Sequence, residues 1–214
     1  MSESLTPAPD APRTGRLSSL SFDRPIPKAV RTFGKALDPK ILLAGDLLLV
    51  AHKKPSWRSS SIVKQQSQQF SDDHARWHHA VVCGGGFEIC EATMRGVLAH
   101  EYWDYMNDNY DLKLRRLKDA SPEERSRAAY YAGTNVRMKY GFLNLFGLMK
   151  SLANGQPWGR SMLVSSGVIC SQLYFEACLR VGFVLANAPA EHVCPAHLSI
   201  SPQMTDIQLG WVPV

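Results

Sequence analysis

The sequence has no long hydrophobic run. Its longest apolar stretches, Ile41–Ala44 and Leu47–Ala51, are short and are separated by Gly45 and Asp46, whereas a transmembrane helix needs about 20 consecutive apolar residues. The first sixteen residues, MSESLTPAPDAPRTGR, also lack the apolar centre of a secretory signal. We therefore expect no stable membrane insertion, no Sec signal peptide and synthesis in the cytoplasm.

Cysteine is scarce, and positive charge is thinly spread. Five cysteines in 214 residues are an odd number and too few for a disulfide scaffold, which fits a reducing compartment. Lys and Arg (24) exceed Asp and Glu (19), a net charge of +5, but the densest basic run covers only residues 113–118. No aromatic residue is interleaved in that run, so we expect no nucleic-acid partner.

Residues 1–40 differ in composition from the rest of the chain. They are rich in Pro, Ser and Arg and show no sustained hydrophobic periodicity, which predicts a mobile or irregular N-terminal lead-in. No repeat with a period of 20–50 residues is present. Because 214 residues are tight for two domains, we expect residues 41–214 to form a single domain.

Strand-like segments cluster in the centre of the chain and helical segments follow, an order typical of the α+β class. The predicted strands cover residues 41–50, 79–83, 87–91, 93–97 and 111–117, with short helices within 52–77 and near 100–106. Ser121, Pro122 and Glu124 form a capping-box pattern, which predicts a helix to about Lys139. Phe142–Leu152 is apolar on more than one face, typical of a core helix or of a lid against an acyl chain.

The first chemical feature is a predicted β-hairpin around Gly84, Gly85 and Gly86. If these glycines form the loop, His79 lies directly opposite Glu91 on one face of the hairpin. Opposed residues have Cβ atoms about 5 Å apart, within hydrogen-bonding reach of an imidazole and a carboxylate. Glu91 would then orient His79 as a general base, whereas the structural alternative is a polar pair at a sheet end.

The second feature is Cys170, which follows a Ser/Gly-rich segment and begins an amphipathic helix. Unpaired backbone N–H groups at a helix N-terminus favour a thiolate. Cys178 lies on the apolar face of the same helix, and Cys83 and Cys90 lie in strands. Cys194 precedes a proline in a predicted loop. We therefore predict Cys170 as a nucleophile, with His79 and Glu91 completing a cysteine-hydrolase arrangement.

Several motifs resemble those of a known family. They are GDLLLV at 45–50, WHHAVV at 77–82, ICEA at 89–92 with Gly96-Val97, KYGF at 139–142, ICSQL at 169–173 and CPAHLS at 194–199. In this order they resemble the circularly permuted branch of the NlpC-type papain-like cysteine peptidases, which includes YiiX-like proteins and is related to lecithin:retinol acyltransferase. Gly141 and Gln172 depart from that branch, where acidic residues are common.

The resemblance implies a papain-like fold, a central antiparallel sheet packed against helices with the nucleophile at a helix N-terminus. It assigns Cys170 as nucleophile, His79 as base and Glu91 as orienting residue, and it places Tyr140 near the site as a substrate-binding residue. It implies no metal and no cofactor. The expected activity is cleavage of an amide bond, most directly in a peptide of peptidoglycan.

Other interpretations remain open. The same chemistry would serve a lipid-directed acyltransferase or thioesterase, and the fold could persist in a non-catalytic binding module. His192, Cys194 and His197 have a dense spacing, but Pro195 interrupts it and no matching ligand pair is evident, so a polar loop is the better interpretation than zinc. His78 competes with His79 as the base, although strand alternation turns it to the opposite face, towards solvent or the preceding helix.

A cell-wall hydrolase without a Sec signal needs another route out of the cell. We therefore hypothesise an antibacterial effector exported by a dedicated secretion system, with a secretion-system or immunity protein as partner.

Overall fold

A computed structural model of the chain describes residues 25–54, 56–141 and 167–214, without the side chain of Arg58. The described helices are α1 (Lys28–Phe33), α2 (Trp57–Gln66), α3 (Asp72–Ala75), α4 (Pro122–Thr134), α5 (Cys170–Leu179) and α6 (Pro195–Ile200). The strands are β1 (Lys35–Leu37), β2 (Leu47–His52), β3 (His79–Gly85), β4 (Glu88–Thr93), β5 (Gly96–Glu101), β6 (Tyr110–Leu117), β7 (Met204–Ile207) and β8 (Trp211–Pro213). Short 3₁₀ helices cover Tyr102–Tyr105 and Ala190–His192.

Six strands form one antiparallel sheet in the order β5-β4-β3-β2-β6-β7, and β1 pairs with β8 in a separate two-stranded sheet. Helices α4 and α5 pack on β3 and β4. The α+β class and the antiparallel sheet packed against helices are therefore confirmed, while the papain-like assignment remains a prediction. Among the described residues, no helix is long and apolar enough to cross a bilayer.

The central strand β2 is buried on both faces, which explains its uninterrupted apolar sequence. Leu47 and Leu49 belong to the core that α4 and α5 cover. Leu48 and Val50 belong to a second core beneath β1, β8 and the 102–105 helix. Alternate side chains of a strand point to opposite faces, so a strand between two packed layers has no solvent-facing polar residues.

A tight turn brings the chain into β2. Gly45 has a φ of +81°, and an added Cβ there would lie 2.4 Å from the carbonyl oxygen of Arg125 in α4. The next residue, Asp46, is fully buried and receives two hydrogen bonds of 2.7 Å from the Arg116 guanidinium, as well as one from the Leu43 amide. This ion pair ties the start of β2 to β6.

Some predicted elements differ from the structure at their boundaries. The capping box at Ser121 is present, but α4 ends at Thr134 rather than near Lys139. Part of the lead-in that is predicted to be irregular, residues 1–40, has regular structure. It contains α1 and also β1, which pairs with β8 near the other end of the chain. Residues 93–97 do not form one strand. Thr93 ends β4, residues 94 and 95 form a turn, and Gly96 begins β5. The helix predicted over 142–152 lies outside the described residues.

The register of the β3–β4 hairpin is also corrected. The predicted loop pairs Cys83 with Phe87, whereas Cys83 pairs with Ile89 because β3 continues into the glycine run and the turn is shorter. His79 is therefore not directly opposite Glu91. The shift is two residues, however, and an even shift leaves every side chain on its predicted face. His79 and Glu91 consequently lie diagonally on one face, within reach of each other.

Candidate active site

Cys170 is the first residue of α5, and Ile169 is its N-cap. The thiol is buried and hydrogen-bonds with the imidazole of His79 and with the backbone amides of Ala80 and Ser171. Burial opposes ionisation, but the charge of His79 and these hydrogen bonds outweigh it and lower the pKa of Cys170. The site therefore favours a thiolate, the form of cysteine that attacks carbonyl carbon.

His79 begins β3 and joins the thiol to a carboxylate. Its Nε2 hydrogen-bonds with Oε2 of Glu91, which leaves Nδ1 for the sulfur of Cys170. Burial alone would lower the pKa of His79, but the charge and hydrogen bond of Cys170, together with those of Glu91, raise it to about 10. The arrangement thus favours an imidazolium between a thiolate and a carboxylate.

Glu91 has two further partners, which the motifs of the sequence do not predict. The Tyr105 hydroxyl donates to Oε2 at 2.6 Å, and Nε2 of His100 lies 2.6 Å from Oε1. Burial opposes ionisation of Glu91, but the hydrogen bonds from His100, His79 and Tyr105 hold its pKa well below the usual range. Glu91 is therefore a buried carboxylate with both oxygens occupied.

A signal for His100 is nevertheless present in the sequence. Thr93 pairs with Gly96 across a two-residue turn, so residues 96, 98 and 100 share the face of residues 93, 91 and 89. Treating Met94-Arg95 as that turn places His100 beside Glu91. Tyr105 follows β5 in a 3₁₀ helix, and no local pattern predicts where such a helix folds back.

Tyr140 lies beside the nucleophile, as the resemblance implies. Residues 139–141 run alongside the segment before Cys170, and Tyr140 bridges to Val168. Gly167 makes this approach possible, because a Cβ there would lie 2.6 Å from the Tyr140 carbonyl group. Burial, and then the charge of Cys170, raise the pKa of the Tyr140 hydroxyl, which keeps it a neutral hydrogen-bond donor.

A cavity of about 310 Å³ opens beside these groups. His52 and His78 line it, with ring centroids 4.6 Å apart. Strand alternation predicts that His78 faces solvent or a helix. Its Nδ1 lies 2.8 Å from the Val50 carbonyl oxygen. Since a carbonyl oxygen only accepts hydrogen bonds, Nδ1 carries the proton and donates it. The described walls of the cavity also include the apolar side chains of Val50, Ile62, Met94, Ile169 and Pro195.

His78 is unsuited to act as the base. Burial, followed by the charges of His79 and His52, lowers the pKa of His78 to about 4. Its ring is thus neutral at physiological pH, and Nδ1 is committed to the backbone. The geometry therefore favours His79 over its neighbour, in agreement with the predicted assignment.

The remaining cysteines lie in apolar surroundings. Burial raises the pKa of Cys90 to about 11 and that of Cys178 to about 12. Cys194 precedes Pro195 in a loop, as predicted, where it is the N-cap of α6, and its sulfur lies 3.1 Å from Nδ1 of His197. Cys194 is nevertheless fully buried, and burial raises its pKa to about 12. Only at Cys170, among the described cysteines, does the surrounding charge overcome burial.

Comparison with known proteins supports the fold alone. No family model matches the chain, and no curated protein matches it. Among solved structures, the chain is similar to one described as the metalloprotein YiiX (DUF1105) from Escherichia coli O157:H7, with a TM-score of 0.54 and 15% sequence identity. The alignment covers 79% of this chain and 98% of that one. The YiiX-like fold expected from the sequence is thus supported.

The name of that structure raises the question of a metal. Within residues 25–54, 56–141 and 167–214, no group of three or more His, Cys, Asp or Glu side chains is placed to hold a metal ion. The spaced residues His192, Cys194 and His197 do not form such a group.

Proposed function

We propose that this protein is a cysteine hydrolase of the NlpC-type papain-like kind, acting through a thiol acyl-enzyme on Cys170. One observation carries the proposal: the thiol hydrogen-bonds with His79, whose other ring nitrogen meets the buried carboxylate of Glu91. Nucleophile, base and orienting acid in this order are the parts that thiol acyl transfer requires.

The steps follow from these positions. The Cys170 thiolate attacks the carbonyl carbon, and the carbonyl oxygen becomes an oxyanion. Cys170 begins α5, so its backbone N–H has no partner within the helix and can donate to that oxyanion, a contribution of about 3 kcal/mol at related sites. His79 then gives its proton to the leaving amine as the carbon–nitrogen bond breaks. Finally His79 takes a proton from water, which attacks the acyl-enzyme and frees Cys170.

The substrate we favour is an amide in a peptide, specifically the peptide of peptidoglycan, on the strength of the motif resemblance. Such a role fits an exported antibacterial effector that has a secretion-system or immunity partner. Expression of the chain with an added periplasmic signal should then be toxic, and Cys170→Ala should remove the toxicity. Harmless expression of the intact, folded protein in the periplasm would contradict the effector role.

A second candidate is favoured by the cavity wall. Val50, Ile62 and Ile169 offer an apolar surface next to the nucleophile, which suits the acyl chain of an ester or thioester. A lipid-directed acyltransferase or thioesterase would use the same acyl-enzyme.

The test compares the two substrates with matched cysteine variants. Purified peptidoglycan and acyl-thioester or phospholipid vesicles are incubated with wild type, Cys170→Ala and Cys178→Ala, and products are identified by mass spectrometry. Cys178 is the matched control because it lies further along the same helix, is fully buried and hydrogen-bonds with Tyr174. We expect peptide cleavage by wild type and Cys178→Ala only. Undiminished turnover by Cys170→Ala would refute a thiol enzyme, and a folded, inert wild type would favour a binding module.

A further inference from the structure

Glu91 is shared between two histidines. Its side chain is only 5% exposed. Its Oε2 pairs with Nε2 of His79, and its Oε1 pairs with Nε2 of His100. The hydroxyl of Tyr105 adds a third hydrogen bond at Oε2. To orient His79, Glu91 needs only the hydrogen bond at Oε2. Its other oxygen, Oε1, pairs with His100, which makes no described hydrogen bond with Cys170.

His100 has the surroundings of a protonated imidazole. Nε2 faces Glu91, and the backbone carbonyl of Glu101 also accepts a hydrogen bond from the ring. The hydrogen bond to Glu91 outweighs the partial burial of the ring, so it raises the pKa of His100 and favours the protonated form. The other charged group that faces it among the described residues is Asp104, from the 3₁₀ helix. The side chain is 28% exposed and lies on β5, at the edge of the sheet.

We infer that His100 is a positioning residue of the thiol site, which holds Glu91 ionised and oriented from the side away from His79. The inference rests on the proposed function, since it adds one residue to the proposed line of Cys170, His79 and Glu91. His100 touches neither the sulfur nor the cavity beside it and acts through Glu91.

The physical consequence concerns acid conditions. A buried carboxylate is costly to ionise unless it is paired, and among the contacts that lower the pKa of Glu91 the hydrogen bond from His100 is the largest. Without that partner, Glu91 takes up a proton at a higher pH as the solution is acidified. His79 then loses the anionic acceptor that orients its ring, and the sulfur of Cys170 loses a correctly placed hydrogen-bond donor.

The experiment measures the rate of Cys170 alkylation by iodoacetamide across acid and neutral pH, with the labelled site identified by mass spectrometry. The variants are His100→Ala, His100→Gln, which keeps a neutral donor, and Tyr105→Phe, which removes a donor without changing charge. Circular dichroism establishes that each is folded. We expect the acid limb of the profile to move upward by at least about one pH unit in His100→Ala, and by less in the other two.

The outcomes separate this inference from the proposed function. A purely structural role would lower the rate at all pH values and leave the limb in place. An acid limb within about 0.3 pH unit of wild type in every folded His100 variant would overturn the role of His100; if His100→Ala does not fold, the profile of His100→Gln decides the question. A wild-type Cys170 that titrates as an ordinary thiol would instead refute the proposed function.

Discussion

Replacing His79 by Gln should change Cys170 from the most reactive thiol of the protein into one of its least reactive. In the native site, the charge and hydrogen bond of His79 outweigh the burial of the sulfur. In His79→Gln the burial remains and the cation is lost. The other buried cysteines show the expected result, because burial raises the pKa of Cys90 to about 11 and that of Cys178 to about 12.

The magnitude follows from two opposing effects. At about pH 6.5, a thiol with the pKa of the buried Cys90, about 11, is ionised to less than about one part in ten thousand. The intrinsic nucleophilicity of a thiolate rises with its pKa, with a Brønsted coefficient of about 0.4–0.5, so that it offsets about half of those orders of magnitude. We therefore expect alkylation of Cys170 by iodoacetamide to slow by about 10²-fold.

The assay is the second-order rate of alkylation at Cys170, followed by mass spectrometry between about pH 5 and 10. Wild type should react on a plateau that extends toward the pKa of His79, about 10, whereas His79→Gln should react faster as pH rises. His74→Gln is the matched control, since His74 pairs with Ser199 and does not line the cavity. A wild-type profile that rises with a single midpoint near the ordinary cysteine value, and is unchanged by His79→Gln, would refute the reasoning.

Three further predictions concern the supports of the site. Glu91→Gln should slow both turnover and Cys170 labelling at neutral pH by about 10- to 100-fold, because a neutral amide replaces a charge-assisted acceptor; equal rates would contradict the assigned role. Asp46→Ala should lower the free energy of unfolding by about 3–5 kcal/mol in urea titration, since it leaves the Arg116 charge unpaired, and a loss below about 1 kcal/mol would show that water replaces the pair. Gly167→Ala should reduce activity more than stability, because its Cβ would push residues 140–141 from the nucleophile; an unchanged KM and kcat would contradict this.

The sequence is most informative where local chemistry and local geometry coincide. The helix start at Cys170 and the capping box at Ser121 are both predictable from short local patterns, and both are present. The pairing of His79 with Glu91 is predicted from a register that is two residues off. It survives because strand alternation has a period of two, so an even error preserves the face.

What the sequence does not reveal depends on distant contacts. Tyr105 reaches Glu91 only because a 3₁₀ helix follows β5. Strand β1 forms only by pairing with β8, which lies about 175 residues further along the chain. The helix that follows Cys194 has six residues, too few for any periodic signal. In each case the local sequence permits several structures, and packing against a remote segment selects one.

The five cysteines together show that a position at a helix N-terminus does not by itself lower the pKa of a thiol. All five are buried; Cys170 begins α5, and Cys194 is the N-cap of α6. If a helix start alone activated a thiol, Cys194 would be a second nucleophile, yet burial raises its pKa to about 12. Cys170 differs because a strand 91 residues earlier brings an imidazole to its sulfur, and a neighbouring strand brings the carboxylate that keeps this imidazole charged. The reactivity of the thiol is therefore a property of the sheet that positions its partners, and changes to that sheet should affect it as strongly as changes to the helix.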